Sequence, residues 1–295
     1  MPEDNVSNEI QIPEPVPTEP LHEGSSVQQE DHLPGGPLPT HSPKGNMSRL
    51  QGNRVAISIF FDEYKNQAAG LEAIRGDAEN FQRVLEDKLK FRYKFPSESD
   101  PTLFEPHQFE NQGKLVAKLR EFLEKWTERQ PKGTVVDTFL LYVHGHGIRI
   151  LGEQCLFTNK WTAIPVRELV NLIAEYVRPI RYYVIMDCCS NTKIVDDKAK
   201  KRVEKALNVE RPENFSDKIV TINAAADGYT ASAETGKTLT SALVSVLEES
   251  LRRGEGGVPM RKLQDRLRKE QMEQGSPNFP IVVTPPNLVN ELFPF

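Results

Sequence analysis

Two short runs in this chain are apolar at every position: Phe139-Leu140-Leu141-Tyr142-Val143 and Tyr182-Tyr183-Val184-Ile185-Met186. A strand with one face in water alternates apolar and polar residues, whereas an unbroken apolar run belongs to a strand buried on both faces. That restricts the chain to a sheet packed between two other layers. Each run then ends in a reactive residue type. The first leads into His144-Gly145-His146-Gly147 and the second into Asp187-Cys188-Cys189-Ser190. Side by side, two such strands would bring an imidazole and a thiol to one rim of the sheet, where a cysteine nucleophile and its base must meet.

The rest of the chain supplies the covering layers. From residue 54 onward, strand-like and helix-like segments alternate. Arg54–Phe61 is short and rich in β-branched and aromatic residues, and Glu72–Leu89 follows with apolar residues at helical spacing. Strands are predicted at Phe91–Phe95, Thr138–Val143, Tyr182–Met186, Lys218–Ala224 and Pro280–Val283. Helices are predicted at Lys114–Glu128, Val166–Val177, Leu239–Leu251 and Met260–Met272. This order predicts an α/β fold with a mixed, mostly parallel central sheet flanked by helices on both faces. Working residues in such sheets sit at the carboxyl ends of the strands, where both reactive segments lie. One interval breaks the alternation: 191–217 mixes Lys198, Lys200, Lys201, Arg202 and Lys205 with acidic residues. It reads as an exposed linker with at most a short helix, between a larger part at 54–190 and a smaller part at 218–295.

Composition separates a tail from this body. Residues 1–46 hold nine prolines and eight acidic side chains against a single lysine, Lys44. Such a segment buries too little surface to offset its chain entropy and reads as disordered. Its charge of −7 within a total of −5 leaves +2 for 47–295, the predicted folded domain. A nearly neutral body makes no electrostatic case for nucleic acid or an anionic membrane. No apolar stretch approaches the ~20 residues of a membrane span. An acidic, proline-rich start reads as neither a secretory signal nor a transit peptide. Three cysteines (Cys155, Cys188, Cys189) without Cys-x-x-Cys spacing build no disulfide framework and no structural zinc site. Free thiols point to the cytosol, with the nucleus as the second compartment.

Three of the six histidines, His22, His32 and His41, fall in the tail, which leaves His107, His144 and His146 for the folded part. His107 follows a proline in a loop-like stretch and reads as a surface residue. A thiol attacks a carbonyl as thiolate, and a neighbouring imidazole both takes its proton and stabilises the charge. The tetrahedral oxyanion then needs N–H donors, for which the amides of Gly147 and Cys189 are the candidates. A lone buried cysteine is more often a small core residue than a nucleophile; the joint occurrence of both segments carries the argument.

These segments resemble those of the caspase-like cysteine peptidases, especially the metacaspase and paracaspase branches. Val143-His144-Gly145-His146-Gly147 resembles their Tyr-Ser/Ala-Gly-His-Gly stretch, and Asp187-Cys188-Cys189 their Asp-x-Cys. The 43 residues from His146 to Cys189 compare with the ~50 that separate the pair in caspases. Leu71 to Phe81, with its Asp77-Ala78, resembles the family's first helix. Gly228 to Leu243 resembles its small-subunit pattern. The resemblance covers 54–295 and implies a caspase-like sandwich with His146 as base and Cys189 as nucleophile, His144 being the alternative base. It implies cleavage after Arg or Lys, the P1 residue, because metacaspases and paracaspases place acids where Asp77 and Asp187 stand; Glu234 would be a third acid. Arg75 is the one nearby cation that could instead favour an acidic P1. The Lys198–Arg202 run then becomes a candidate self-cleavage site.

No cofactor is implied. Calcium activation, known among metacaspases, has no readable ligand loop here, and no metal site is expected. The partners implied are protein or peptide substrates, with a monomer or homodimer as the assembly. The family usually has His-Ser-Gly or Arg-Gly after the cysteine; this chain has Ser190-Asn191-Thr192. That departure keeps open a catalytically weak or inactive caspase-like scaffold. A serine esterase would need Gly-x-Ser-x-Gly, and a nucleotide-binding domain a phosphate loop; the chain has neither.

Overall fold

A computed structural model describes residues 53–61, 72–93, 112–130, 135–158, 162–190, 197–208, 218–225, 231–232, 234, 236–276 and 278–293. Residues 48–295 form one compact unit. The acidic tail and His107 lie outside the described residues.

In chain order the elements are β1 (Asn53–Phe60), α1 (Glu72–Arg83), β2 (Arg92–Tyr93), α2 (Gln112–Arg129), β3 (Val136–His144), β4 (Gly147–Ile150), β5 (Glu153–Phe157) and β6 (Ala163–Pro165). Then come α3 (Val166–Tyr176), β7 (Arg181–Asp187), α4 (Asp197–Leu207), β8 (Ile219–Asn223), α5 (Leu239–Arg252), β9 (Val258–Pro259), α6 (Met260–Glu273), β10 (Ile281–Val283) and β11 (Leu292–Phe293). The central sheet runs β10-β8-β7-β3-β1-β2. Its pairs are parallel except β10 with β8, which is antiparallel. The predicted mixed, mostly parallel sheet is therefore what the chain builds.

The two apolar runs become the neighbouring strands β3 and β7, and β3 is buried at all nine positions. The two faces of these strands meet different layers. On one face the Tyr142 ring lies 5.1 Å from that of Phe81 on α1, and its hydroxyl bonds Thr240 on α5. On the other, Val184 and Met186 line a cavity of about 300 Å³ with Val166 and Val170 of α3. Helices on both faces explain why the strands carry no polar alternation. α1 does not run regularly to Leu89: its last turn, Val84–Lys88, widens to a π-helix, and Lys90 follows with φ +58°. That wide turn seats Val84, Leu85, Leu89 and Phe91 in the core together.

Two features depart from the sequence reading. The segment 147–165, unassigned there, forms a separate antiparallel sheet, β4-β5-β6. Its first hairpin turns on two residues, Leu151 (φ +51°) and Gly152 (φ +77°), between the paired Ile150 and Glu153. Positive φ at both centres gives the turn that matches strand twist. The interval 191–217, expected as an exposed linker, contains the eleven-residue α4. Its Val203 is 1% exposed and packs with Ile148, Ile150, Cys155 and Ala163 in a second, smaller core. α4 is thus docked, with Lys200, Lys201 and Lys205 exposed, and the helix must unwind before a protease can cleave within it. Replacing Val203 by Asp buries an unpaired charge and should undock α4. Limited trypsin digestion with mass spectrometry is expected to show much faster cutting at Lys198–Lys205 in Val203→Asp; unchanged kinetics would refute the docking.

Candidate active site

The strand register decides what meets at the rim. β3 and β7 pair with His144 opposite Asp187. His146 and Cys189 each lie two residues past that last pair. β3 stops at His144 because Gly145 takes φ +145°, a conformation open to glycine, while its N–H donates to the Asp187 carbonyl. His144 and His146 are therefore not successive same-face residues of one strand, as a continued strand would have made them. His144 is buried at 2% exposure beneath α1 and α5, whereas His146 is half-buried at the rim.

The cysteines divide in the same way. Cys188 is fully buried, and burial pushes its thiol well above the ordinary range, with Cys189 and Asp187 adding to the shift. It stays a neutral thiol, as an inert core residue should. Cys189 is partly exposed. Its Sγ accepts the Ala231 N–H at 3.4 Å and lies 3.8 Å from the Ala231 carbonyl. The same backbone covers one side of the sulfur.

Gly147 links the two halves of the rim. A Cβ built on it would come 2.7 Å from the Cys189 carbonyl oxygen, 2.7 Å from Cys188 Cβ and 2.8 Å from Cys188 Sγ. The residue beside His146 thus lies against the Cys189 carbonyl and the Cys188 side chain, and only glycine permits that approach. Both proposed oxyanion amides, Gly147 and Cys189, belong to residues in this contact.

The departure after Cys189 has a physical replacement. Ser190 is 2% exposed, and its hydroxyl contacts Gln154 Oε1 at 2.9 Å and the Ala225 carbonyl at 3.2 Å. Gln154 Nε2 donates to the Cys189 carbonyl at 2.8 Å and lies 3.3 Å from Cys188 Sγ. One buried amide from β5 therefore braces three consecutive residues of the cysteine turn. Sequence reasoning missed Gln154; the only available signal was a polar residue within the otherwise apolar stretch Gln154-Cys155-Leu156-Phe157.

The three acids expected to bind a cation do not stand together. Asp187 is 1% exposed; its Oδ2 accepts from the Thr240 amide at 2.8 Å and the Thr240 hydroxyl at 2.6 Å, while Oδ1 has no hydrogen-bond partner among the described residues. Asp77, half-buried on α1, accepts from Thr238 Oγ1 at 2.5 Å. Burial raises the Asp77 carboxyl above its ordinary range; the Thr238 bond and His144 oppose the rise, and Asp187 adds to it. His144 stands beside Asp187, with Nε2 3.7 Å from Asp187 Oδ2, and acts electrostatically on Asp77. Glu234 is outside the group: its side chain is 70% exposed and pairs with Lys237 at 2.6 Å. Four residues before Thr238, it lies on the surface. Arg75 is exposed on α1.

Among the described residues no group of three or more His, Cys, Asp or Glu side chains is placed to hold a metal ion. Nor is any described helix long and apolar enough to cross a membrane. Replacing Gly147 by Ala forces a methyl into the cysteine backbone. Overpacking of this kind costs about 1–3 kcal/mol. A lowered midpoint in denaturant unfolding, together with lost reactivity of Cys189 toward iodoacetamide, is the expected outcome; a variant unchanged in both would contradict the packing.

Residues 53–279 match the caspase domain. Solved structures of the same architecture include a Geobacter sulfurreducens protein, with TM-score 0.50 and 14% identity over 82% of this chain and 97% of that one. Caspase-1 from Spodoptera frugiperda superposes with TM-score 0.51 and 13% identity over 86% of this chain and 94% of its own. At such identities the likeness is one of fold alone. No curated protein matches the chain.

Proposed function

Because the chain belongs to the caspase domain family, we propose that it is a cysteine endopeptidase with Cys189 as nucleophile and His146 as base. The observation that carries this reading is the division of the two adjacent thiols. Cys189 is partly exposed beside an N–H donor, while Cys188 is buried and held neutral. In the reaction, His146 takes the Cys189 proton and Sγ attacks the substrate carbonyl carbon. A C–S bond forms and the carbonyl electron pair moves onto oxygen, facing the Gly147 and Cys189 amides. As the tetrahedral centre collapses, the C–N bond breaks and His146 returns the proton to the leaving amine. Water, activated by His146, then hydrolyses the thioester and restores the thiol.

Substrates in this reading are proteins or peptides, with Arg or Lys at P1 drawn by Asp77 and Asp187. A desolvated acidic pair favours a cation and rejects an anion. Self-processing near Lys198–Arg202 is part of the proposal only when α4 unwinds, because a helix does not fit an extended substrate groove. The reduced thiols suit the cytosol, and no cofactor enters any step. A non-catalytic scaffold is the second reading, favoured by one observation: the Ala231 backbone lies over Cys189 Sγ.

The test is cleavage of a peptide library, with and without calcium, read by mass spectrometry. Cys189→Ala is expected to lose at least ~10³-fold in kcat/KM, while Cys188→Ala stays within a few-fold. The reverse pattern would move the nucleophile to Cys188, and no cleavage by the unmutated chain would favour the scaffold.

A further inference from the structure

The acidic pair is not empty. The His144 imidazole stands against Asp187 and close enough to Asp77 to act on its carboxyl, and the hydroxyls around it show how it is held. Tyr142 Oη lies 2.6 Å from His144 Nδ1 and 2.8 Å from Thr240 Oγ1, and Thr240 Oγ1 lies 2.6 Å from Asp187 Oδ2. Three contacts in a row need three protons, and the two hydroxyls supply one each. Where Thr240 donates to Asp187, Tyr142 donates to Thr240 and His144 Nδ1–H donates to Tyr142. Nε2 is then the nitrogen facing Asp187 across 3.7 Å.

His144 also lies too deep to be a surface accident. It is 2% exposed and Asp187 is 1% exposed, so the ring and the carboxylate exclude water from each other. Its carbonyl accepts the Phe61 N–H at 3.0 Å, which anchors the backbone beneath the ring. Asp187 Oδ1 has no hydrogen-bond partner among the described residues. A buried carboxylate with a spare acceptor is a costly arrangement that a further donor would relieve.

We propose that His144 is an internal occupant of the P1 subsite, seated against Asp187 where the basic side chain of a substrate would bind, so that the subsite is self-blocked until the ring is displaced. This rests on the assignment of Asp77 and Asp187 as the P1-recognising pair. The site takes a guanidinium or ammonium group, because the spare Asp187 Oδ1 is an acceptor awaiting a donor. The resting chain is consequently poor at cleaving after Arg or Lys, and a smaller residue at 144 opens it.

Binding of agmatine, an arginine side-chain mimic, tests the block without relying on catalysis. In the Cys189→Ala chain, titration followed by NMR is expected to give at least tenfold tighter binding with His144→Ala than with His144 present. Adding Asp187→Asn should abolish the gain. Equal affinity with and without His144, or a gain that survives Asp187→Asn, overturns the proposal. The imidazole ¹⁵N spectrum of the unmutated chain covers the case in which His144→Ala does not fold: a protonated Nδ1 is expected, and a bare Nδ1 breaks the proton relay and overturns it. With Cys189 intact, His144→Ala should raise kcat/KM for Arg peptides at least tenfold, mainly through KM. Tighter agmatine binding without turnover would uphold the block and refute the peptidase reading, so the two fail separately.

Discussion

The parallel pairing of β3 with β7 is the constraint on which the site depends. Its register sets His144 opposite Asp187. Everything chemical follows within two residues of that pair. A slip of one residue would turn every side chain to the other face. Asp187 would then face α3 instead of Thr240, and Cys188 rather than Cys189 would reach the rim. The apolar faces prevent the slip, because β3 buries all nine of its positions between two helical layers.

Past the pair, the two chains diverge for local reasons. Gly145 turns β3 away and Gly147 allows β4 to press on the cysteine backbone. Gln154 closes the arrangement from β5 by holding Cys189 and Ser190. The small antiparallel sheet is thus the support for the cysteine turn, and α4 covers its other side through Val203. A segment that reads as a linker helps to brace the site.

Much of this was legible in sequence, and the limits of that reading have physical causes. Unbroken apolar runs mark doubly covered strands, so β3 and β7 were visible; so were the helices with long apolar stripes. β4, β5 and β6 span three to five residues each, too short for a period to stand out. α4 carries a single fully buried valine amid lysines, so its apolar signal is almost absent. His146 and Cys189 were named from motif and position, and the burial difference between the two cysteines supports the choice of thiol. Asp77 and Asp187 were both picked out, but not the histidine packed against Asp187. His144 appeared only as a rival base, because residue order does not tell which helix will lie above a strand. Glu234 was drawn in by its segment and is instead a solvated partner of Lys237.

Sequence alone determined the layered fold class and named the candidate reactive groups, because periodicity and residue chemistry are local properties. Tertiary structure decided which cysteine reaches water and which acids are desolvated. Those outcomes depend on the depth at which each side chain lies beneath α1 and α5. Depth is set by packing between segments more than 100 residues apart in the chain, such as α1 and α5 around His144.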